Sequence, residues 1–365
     1  MSPEMRKSHP YYAYDAIQAQ PELIEKVLQK HGPIARVADA ISEKERFTFV
    51  GIGTSLHAAR VAESWMRELS AGRLLARAEQ SFELVHHPIA FTPRDAVIAI
   101  SHTGTTAASV KAIRMARAAG ALTVAITGEM SGEGIREADF QIETCEQEVA
   151  FAYTKSYSTA LAALALLIMR IVEGKKLLAP GYSRLDIGGV PALVREALRL
   201  EPQARELAKR ISPLARIEIF GSGVSWATAS EAALKIKEAC YVAAEGFETE
   251  EILHGPFSET DSRAALIGLL TGHETDDRAR QILSAAGELK MLRAAIANSS
   301  SNHDIPAEQI LVLVVPETAE WLSAFVHLVP LQLLTYFLAL ERGLNPDTGR
   351  QDQLAHAAAS RHYKY

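Results

Sequence analysis

The feature that most constrains the fold is an internal repeat: three landmarks in the first half of the chain recur 170 residues later. Each landmark is a short apolar run of the kind that forms a buried strand. The pairs are Phe47–Gly51 with Ile217–Gly221, Ala96–Ile100 with Leu266–Leu270, and Leu122–Ile126 with Leu292–Ile296. A repeat at one constant spacing predicts two copies of one structural unit.

Helical patterns separate the apolar runs, and this alternation favours parallel sheets with helices on both faces. A stretch rich in glycine and proline over 173–192 predicts a linker between the copies. We therefore expect an α/β chain with a helical segment over 1–45, a first domain over 46–175 and a second domain over 190–345.

Composition indicates a folded chain without a nucleic-acid-binding face. Apolar residues make up 48% and charged residues 22% of the 365 residues, and the net charge is −6, which leaves no basic surface for nucleic acid.

Cys145 and Cys240 have neither CxxC nor metal-ligand spacing, which fits a reducing compartment. The longest apolar run, 160–169, is about half a membrane span and is expected to be a buried helix. The first residues lack the apolar core of a secretory signal, so we expect a cytoplasmic protein.

A hydroxyl-rich loop links the strand that ends at Ile100 to the helical pattern that begins at Ala107. Its sequence is Ser101-His102-Thr103-Gly104-Thr105-Thr106. Free backbone N–H groups and the dipole at a helix N-terminus attract anions, and Ser and Thr hydroxyls add donors. No lysine follows the glycine, so the loop is not a nucleotide P-loop. The loop therefore predicts an anion site, and the alternative is an ordinary helix cap with a polar turn.

The second copy differs at this loop, where it has Thr271-Gly-His-Glu-Thr-Asp276. Two carboxylates at a helix start would repel a phosphate. We therefore expect the first copy to keep the anion site and the second copy to have lost it.

The turn Gly51-x-Gly53 and its copy follow strands, as the glycine turn of a dinucleotide-binding fold does. That fingerprint needs a third small residue, and the matching positions hold Leu56 and Trp226. No acidic residue is placed to hold a ribose. The turns instead indicate close approach of the backbone to a ligand, with Thr54 and Ser55 as extra hydroxyls in the first copy.

Acid–base residues concentrate in the second copy. Glu231, Lys235 and Glu238 lie at positions i, i+4 and i+7 of a helical pattern and share one face. The pattern alone is typical of a solvated face with Glu–Lys pairs. His254 follows several carboxylates and precedes a Gly-Pro turn, where a short helix must end, and histidine exchanges protons near neutral pH. The other histidines show no metal-ligand spacing.

At these residues the chain resembles the tandem sugar isomerase (SIS) domains, and in particular the isomerase half of glutamine–fructose-6-phosphate transaminases. The resemblance extends from Ile17 through the helix around Leu334. The motifs that carry it are Gly53-Thr-Ser55, Ser101-x-Thr103-Gly-x-Thr106, Glu231-x-x-Leu-Lys-x-Lys-Glu238 and His254-Gly-Pro256. It implies two flavodoxin-like three-layer αβα domains with parallel sheets.

The resemblance also implies roles for these residues. Glu238 would move a proton between C1 and C2 of an open-chain sugar, Lys235 would assist, and His254 would help to open the ring from the neighbouring subunit of an obligate homodimer. No metal or organic cofactor is implied. The residues implied to hold the sugar phosphate are Thr54, Ser55, Ser101, His102, Thr103 and Thr106.

The chain departs from this family in three places, one of which is Thr348-Gly349-Arg350, where the family has proline-arginine. It shows no glutamine amidotransferase domain or N-terminal cysteine nucleophile. In the C-terminal tail, 346–365, which the resemblance places over the active site, the family has a lysine that forms a Schiff base. Here His356 stands at that place, and Lys364 is a second, weaker counterpart. Histidine cannot form a stable imine, so the substrate cannot be carried over from the family.

Three functions follow as hypotheses. The first is a phosphosugar isomerase on a 6-phosphorylated aminosugar, deaminating glucosamine 6-phosphate to fructose 6-phosphate and ammonia. The second is a fructosamine-6-phosphate deglycase, which would release an amino acid instead of ammonia. The third is a non-catalytic sugar-phosphate sensor, which the acid–base residues disfavour.

Overall fold

The computed structural model describes residues 4–302, 305 and 310–362, and within them the chain forms two compact units. The N-terminal unit comprises residues 20–148 and 155–191. The C-terminal unit comprises the described parts of 1–19, 149–154 and 192–364.

The N-terminal unit is built on one parallel sheet of five strands in the order β2-β1-β3-β4-β5. This is the strand order of the flavodoxin-like fold. The strands are β1 Arg46–Gly51, β2 Leu75–Gln80, β3 Asp95–Ile100, β4 Leu122–Thr127 and β5 Phe140–Glu143. Every residue of β3 is buried, as a central strand covered on both faces should be.

Helices cover this sheet and pack on one another. Three of them, α2, α3 and α4, pack against α7, where the apolar run predicted to be a buried helix lies. The helices are α2 Gln20–Gln29, α3 His31–Ile41, α4 Thr54–Leu69, α5 Ser81–His86, α6 Ala107–Ala118, α7 Lys155–Gly174, α8 Leu185–Gly188 and, at the boundary of the unit, α9 Val190–Ala197.

The C-terminal unit repeats the same sheet. Its five parallel strands follow the order β7-β6-β8-β9-β10, which is the order of the first sheet when each copy is numbered from its own first strand. The strands are β6 Arg216–Gly221, β7 Ala243–Glu248, β8 Ala264–Leu270, β9 Leu292–Asn298 and β10 Leu311–Val315. The prediction of two flavodoxin-like α/β domains is confirmed.

The helices of this unit include the acid–base segment. That segment is α11, which packs on β6, β7 and the buried helix α14. The helices are α1 Tyr12–Gln18, α10 Glu201–Ile211, α11 Val224–Cys240, α12 Asp276–Glu288, α13 Ser323–Val326, α14 Leu328–Glu341 and α15 Leu354–Ser360, with short 3₁₀ turns between several of them.

Two segments are long and apolar enough to cross a membrane by length and composition, Lys155–Gly174 and Glu320–Glu341. Of their most apolar windows, 83% and 100% respectively are buried inside the structure. Such burial is what the core helices of a folded domain show. Both cysteines are free and buried.

Candidate active site

The hydroxyl loop lies at the carboxyl end of β3, beside the loop that follows β1. In a sheet of this order, β1 and β3 are the neighbours from which the chain departs in opposite directions, and ligands bind at that switch point. The loops after them lead into α4 and α6, so two helix N-termini start at the same edge of the sheet.

Few side chains within the unit cap these two helix starts. Gly53 is the N-cap of α4 and Thr106 is the N-cap of α6, and neither provides a side-chain capping hydrogen bond. At α4 the N–H groups of Ser55 and Leu56 donate to the carbonyls of Ile52 and Gly53 at 3.2 and 2.9 Å. The positive end of the helix dipole at both starts still favours an anion. Thr103 accepts a hydrogen bond from the Thr105 hydroxyl at 2.9 Å, which orders the loop between them.

His102 has a defined structural environment in this loop. Its ring is buried, and Nε2 accepts a hydrogen bond from the backbone N–H of Glu148 at 3.1 Å. The carbonyl of His102 accepts from the side chain of Gln147 at 3.2 Å and from the backbone of Gly128 at 2.9 Å. Burial lowers the pKa of His102, so the ring is neutral at pH 7. Sequence reasoning placed His102 at the phosphate but did not find Gln147 and Glu148, which hold it.

The corresponding loop of the second copy carries its own anion. Asp276, at the start of α12, is 4% exposed, and its carboxylate accepts the N–H groups of Thr271 and Gly272 at 3.1 and 2.9 Å. These are the backbone donors that an external anion would need. The carboxylate therefore occupies the loop from within, in agreement with the expected loss of the site in this copy.

The acid–base helix α11 carries a buried ion network. The Lys235 ammonium lies 2.5 Å from Glu238 Oε2 and 3.7 Å from Glu231 Oε1. The side chains of Lys235 and Glu231 are 3% and 1% exposed, and that of Glu238 is 23% exposed. A solvated helix face would leave all three in water, so that interpretation is excluded by the structure. Only the carboxylate of Glu238, within this network, reaches accessible space.

Glu238 opens into a cavity of about 310 Å³ within the C-terminal unit. His356, at the first turn of α15, lines the same cavity. The structure thus brings together two of the predicted catalytic residues, with Lys235 directly behind the first. The residues around the cavity are Phe151, Lys237, Glu238, Tyr241, Val242, Gly349, Arg350 and His356.

His254 lies elsewhere in the unit. It follows a 3₁₀ turn, Glu251–Leu253, as expected for a helix that ends at the Gly-Pro turn. Its side chain is 68% exposed, and Nε2 lies 3.7 Å from Glu250, whose pKa is lowered by the guanidinium of Arg278. His254 is not one of the described residues that line the cavity at Glu238. Lys364 lies outside the described residues.

Sequence reasoning did not assign Tyr241, Arg350 or Phe151 to the site. Tyr241 ends α11 in a left-handed conformation, and Arg350 lies in the tail loop more than 100 residues later. The sequence signal that could have identified Arg350 was a cationic residue directly after a glycine in that loop. Among the residues that the structure describes, no cluster of three or more His, Cys, Asp or Glu side chains is arranged to hold a metal ion.

Comparison with known proteins places this geometry in a family. The SIS domain model matches residues 40–170 and 211–342, one match for each sheet. A glutamine–fructose-6-phosphate aminotransferase [isomerizing] of Thermococcus kodakarensis is 30% identical over 94% of this chain, and its counterpart in Pseudomonas putida is 26% identical over 93%. The chain spans 58% and 57% of the lengths of these relatives.

Solved structures show the same fold. The C-terminal domain of glucosamine-fructose-6-phosphate aminotransferase from Francisella tularensis matches with a TM-score of 0.87 at 21% identity, over 94% of this chain and 99% of that one. Glucosamine-6-phosphate deaminase from Thermotoga maritima matches with a TM-score of 0.71 at 19% identity, over 92% and 97%. With one family match on each of its two sheets, the chain belongs to the SIS domain family.

Proposed function

We propose that this protein is a phosphosugar isomerase that acts on a 6-phosphorylated aminosugar, with glucosamine 6-phosphate deamination as its reaction. The observation that supports it is Glu238: a carboxylate at the wall of an open cavity, 2.5 Å from a buried ammonium. The nearby positive charge of Lys235 favours the ionised carboxylate, which is the form that removes a proton. The curated relatives are named for isomerisation and for fructose 6-phosphate, in keeping with such chemistry.

The proposed chemistry needs one base and one water molecule. Glu238 removes the proton from C2 of the open-chain aldose, giving an enaminol, and returns a proton to C1. The product is an imine at C2, and water hydrolyses it to fructose 6-phosphate and ammonia. A positioned proton-transfer residue of this kind contributes about 10²- to 10⁴-fold to the rate. No step requires a metal ion or an organic cofactor.

The remaining assignments belong to the same proposal. His254 is the acid–base group that opens the sugar ring, acting from the neighbouring subunit of a homodimer, and His356 lies beside the base in the cavity. The phosphate is assigned to the hydroxyl loop and the start of α4. The residues are Thr54, Ser55, Ser101, His102, Thr103 and Thr106. Because Nε2 of His102 already accepts a hydrogen bond, its contribution is to shape the loop.

Solvent-deuterium uptake at C1 or C2 tests the proposal directly. The wild-type protein should exchange deuterium into glucosamine 6-phosphate and release ammonia. Glu238→Gln should slow exchange by about 10²-fold or more while sugar-phosphate binding survives, because the amide keeps the shape but cannot accept the proton. The exposed Glu288→Gln in α12 is the matched control and should exchange at the wild-type rate.

The hydroxyl loop is tested by binding. The double substitution Ser101→Ala and Thr103→Ala should weaken binding of the phosphorylated sugar while leaving the fold intact. Equal affinity of the wild-type protein for phosphorylated and unphosphorylated sugar would refute the phosphate assignment. Exchange by Glu238→Gln at the wild-type rate would refute the assignment of the base, and binding without any exchange would indicate a sensor.

A further inference from the structure

We propose that Asp347 is a positioning residue of the candidate active site: it ties the C-terminal tail to the start of α1 and so sets where His356 lies beside Glu238. The inference rests on the proposed function, because His356 and Glu238 act in that reaction. It makes the N-terminal segment part of the structure that supports the site. All the groups involved lie within the C-terminal unit.

Asp347 joins three segments that are far apart in the sequence. It is 3% exposed, and its two carboxylate oxygens accept the backbone N–H groups of Tyr12 and Ala13 at 2.8 Å each. Its backbone carbonyl accepts the N–H of Phe151 at 3.0 Å. A buried carboxylate with a backbone donor on each oxygen keeps one orientation, because turning away would leave buried polar groups without partners. Asp347 therefore fixes the tail where it meets α1.

The loop on either side of Asp347 is held as well. The side-chain amide of Asn345 donates to the carbonyl of Arg6 at 2.9 Å, and its Oδ1 accepts the N–H of Asp347 at 3.0 Å. Gly349 has φ +53°, and a Cβ there would lie 2.2 Å from Cγ of Phe151, so no side chain fits at this position. The loop is therefore held both by the N-terminal segment and by Phe151.

Beyond this loop the tail has little support of its own. The helix α15, which carries His356, has no buried residue, and its one large apolar side chain, Leu354, is 91% exposed. Tyr241 contacts the tail more loosely, with its hydroxyl 3.2 Å from Thr348 Oγ1 and its ring 4.9 Å from the Arg350 guanidinium. The side-chain hydrogen bonds of the described residues after Arg350 all stay within the tail, and the pairs of side chains are Thr348–Asp352, Arg350–Gln353 and Gln351–Ser360. The position of His356 therefore depends on the loop at Asp347.

The place of His356 matters for the proposed reaction because His356 lines the same cavity as Glu238. Histidine exchanges protons near neutral pH, and it does so with a substrate only when its ring lies within hydrogen-bond reach. A misplacement of about 1 Å in a reacting group can lower a rate by about 10²-fold. Loosening the tail at Asp347 should therefore slow turnover. Binding of the substrate should survive, since its phosphate is assigned to the hydroxyl loop of the N-terminal unit.

Two substitutions break the same contact from opposite ends of the chain. Asp347→Asn keeps the size of the side chain but replaces one acceptor by a donor. Tyr12→Pro removes the N–H of Tyr12, and proline fits there because this residue is the first of α1 and follows Tyr11, which is extended at φ −85° and ψ 168°. Tyr12→Ala keeps the N–H and is the matched control for Tyr12→Pro. Asp352→Asn, at an exposed position of the same tail, is the control for Asp347→Asn.

Ammonia release from glucosamine 6-phosphate provides the first measurement. Asp347→Asn and Tyr12→Pro should each lower kcat by about tenfold and leave KM within about twofold, and both controls should match the wild-type protein. His356→Ala should lower kcat by at least as much. Added to His356→Ala, neither substitution should lower kcat by more than about a further twofold, because both act through His356. By hydrogen-exchange mass spectrometry, the amides of α15 should exchange faster in Asp347→Asn, while those of the sheet strands should not change.

The outcomes separate this inference from the proposed function. If Asp347→Asn turns over at the wild-type rate, or if His356→Ala does, this inference fails alone. If either substitution still lowers kcat tenfold in the His356→Ala background, or raises KM as much as it lowers kcat, Asp347 serves the fold and the inference is overturned. If the wild-type protein neither exchanges deuterium nor releases ammonia, the proposed function fails. Faster amide exchange in α15 of Asp347→Asn would then still support the anchoring of the tail, and unchanged exchange would overturn it.

Discussion

Replacing Lys235 by methionine removes the ammonium group that bridges Glu231 and Glu238. Methionine has nearly the length of lysine without its charge, so the change tests the ion network with little loss of packing. The two carboxylates then differ in what they can do. The Glu238 side chain is 23% exposed and can turn toward water, whereas that of Glu231 is 1% exposed and cannot.

The expected destabilisation is that of a buried carboxylate left without its cation. Removing one partner of a buried ion pair costs about 3–5 kcal/mol. We expect Lys235→Met to lower the free energy of unfolding by this amount at pH 8. Because the penalty falls on Glu231, adding Glu231→Gln should recover more than about half of it, whereas adding Glu238→Gln should recover less.

Urea unfolding followed by circular dichroism provides the measurement, with the same variants assayed for deuterium exchange. Exchange should be lost in Lys235→Met and should not return when Glu231→Gln restores stability, because Glu238 still lacks its ammonium. A loss of less than about 1 kcal/mol, or a loss that Glu231→Gln does not repair, would show that Lys235 does not compensate a buried charge here.

Two further predictions follow from the C-terminal unit. Burial raises the pKa of Glu218, in the middle of β6, to about 7. Between its ordinary pKa of about 4.5 and pH 7, the folded state therefore keeps a proton that the unfolded chain releases. The free energy of unfolding falls as the pH rises through this range. Glu218→Thr copies the residue at the matching position 48 of β1. It should raise the free energy of unfolding at pH 8 by on the order of 3 kcal/mol and have little effect on it at pH 4. An equal gain at both pH values would contradict the titration of Glu218. If His254 acts from the neighbouring subunit, mixing inactive Glu238→Gln and His254→Ala chains should restore about a quarter of wild-type turnover. Half of the dimers are then mixed, and each mixed dimer has one intact site. No recovery in mixed dimers isolated by dual affinity tags would refute the shared site.

The central strands of both sheets could be predicted because each is an apolar run covered on both faces. β7 and β10 were not predicted. β7, Ala-Ala-Glu-Gly-Phe-Glu, lies at a sheet edge and has no continuous apolar run. Its Gly246 is explained only by tertiary structure, since a Cβ there would lie 2.4 Å from the backbone nitrogen of Ser230 in α11. An edge strand shaped by a neighbouring helix has no signal of its own in a local window.

The candidate site could be predicted in part, where residues close in the sequence carry it. Spacing placed Glu231, Lys235 and Glu238 on one face, and the structure confirms the contacts. Their burial could not be predicted, because it depends on α14, about 100 residues later, whose Gln332 and Thr335 lie with Lys235 around a small internal cavity. The cavity at Glu238 could not be predicted either, because the end of α11 and residues beyond 345, distant in the sequence, line it together.

The divergence of the two copies follows one electrostatic rule. Both sheets keep the same strand order, so both place backbone N–H groups at the carboxyl end of their third strand. In the N-terminal unit the loop there holds hydroxyls and no carboxylate, and the Ser101 N–H donates to the Ile126 carbonyl at 3.0 Å. An outside anion there would meet side-chain hydroxyls and the positive end of the α6 dipole. In the C-terminal unit the Asp276 carboxylate accepts the N–H groups of Thr271 and Gly272, and this copy holds Glu238, the proposed base, beside the Lys235 ammonium. A phosphate and a catalytic carboxylate gathered at one loop would raise each other's energy. The proposed assignment, with the anion site on one sheet and the base on the other, avoids that cost while both copies keep the same strand order.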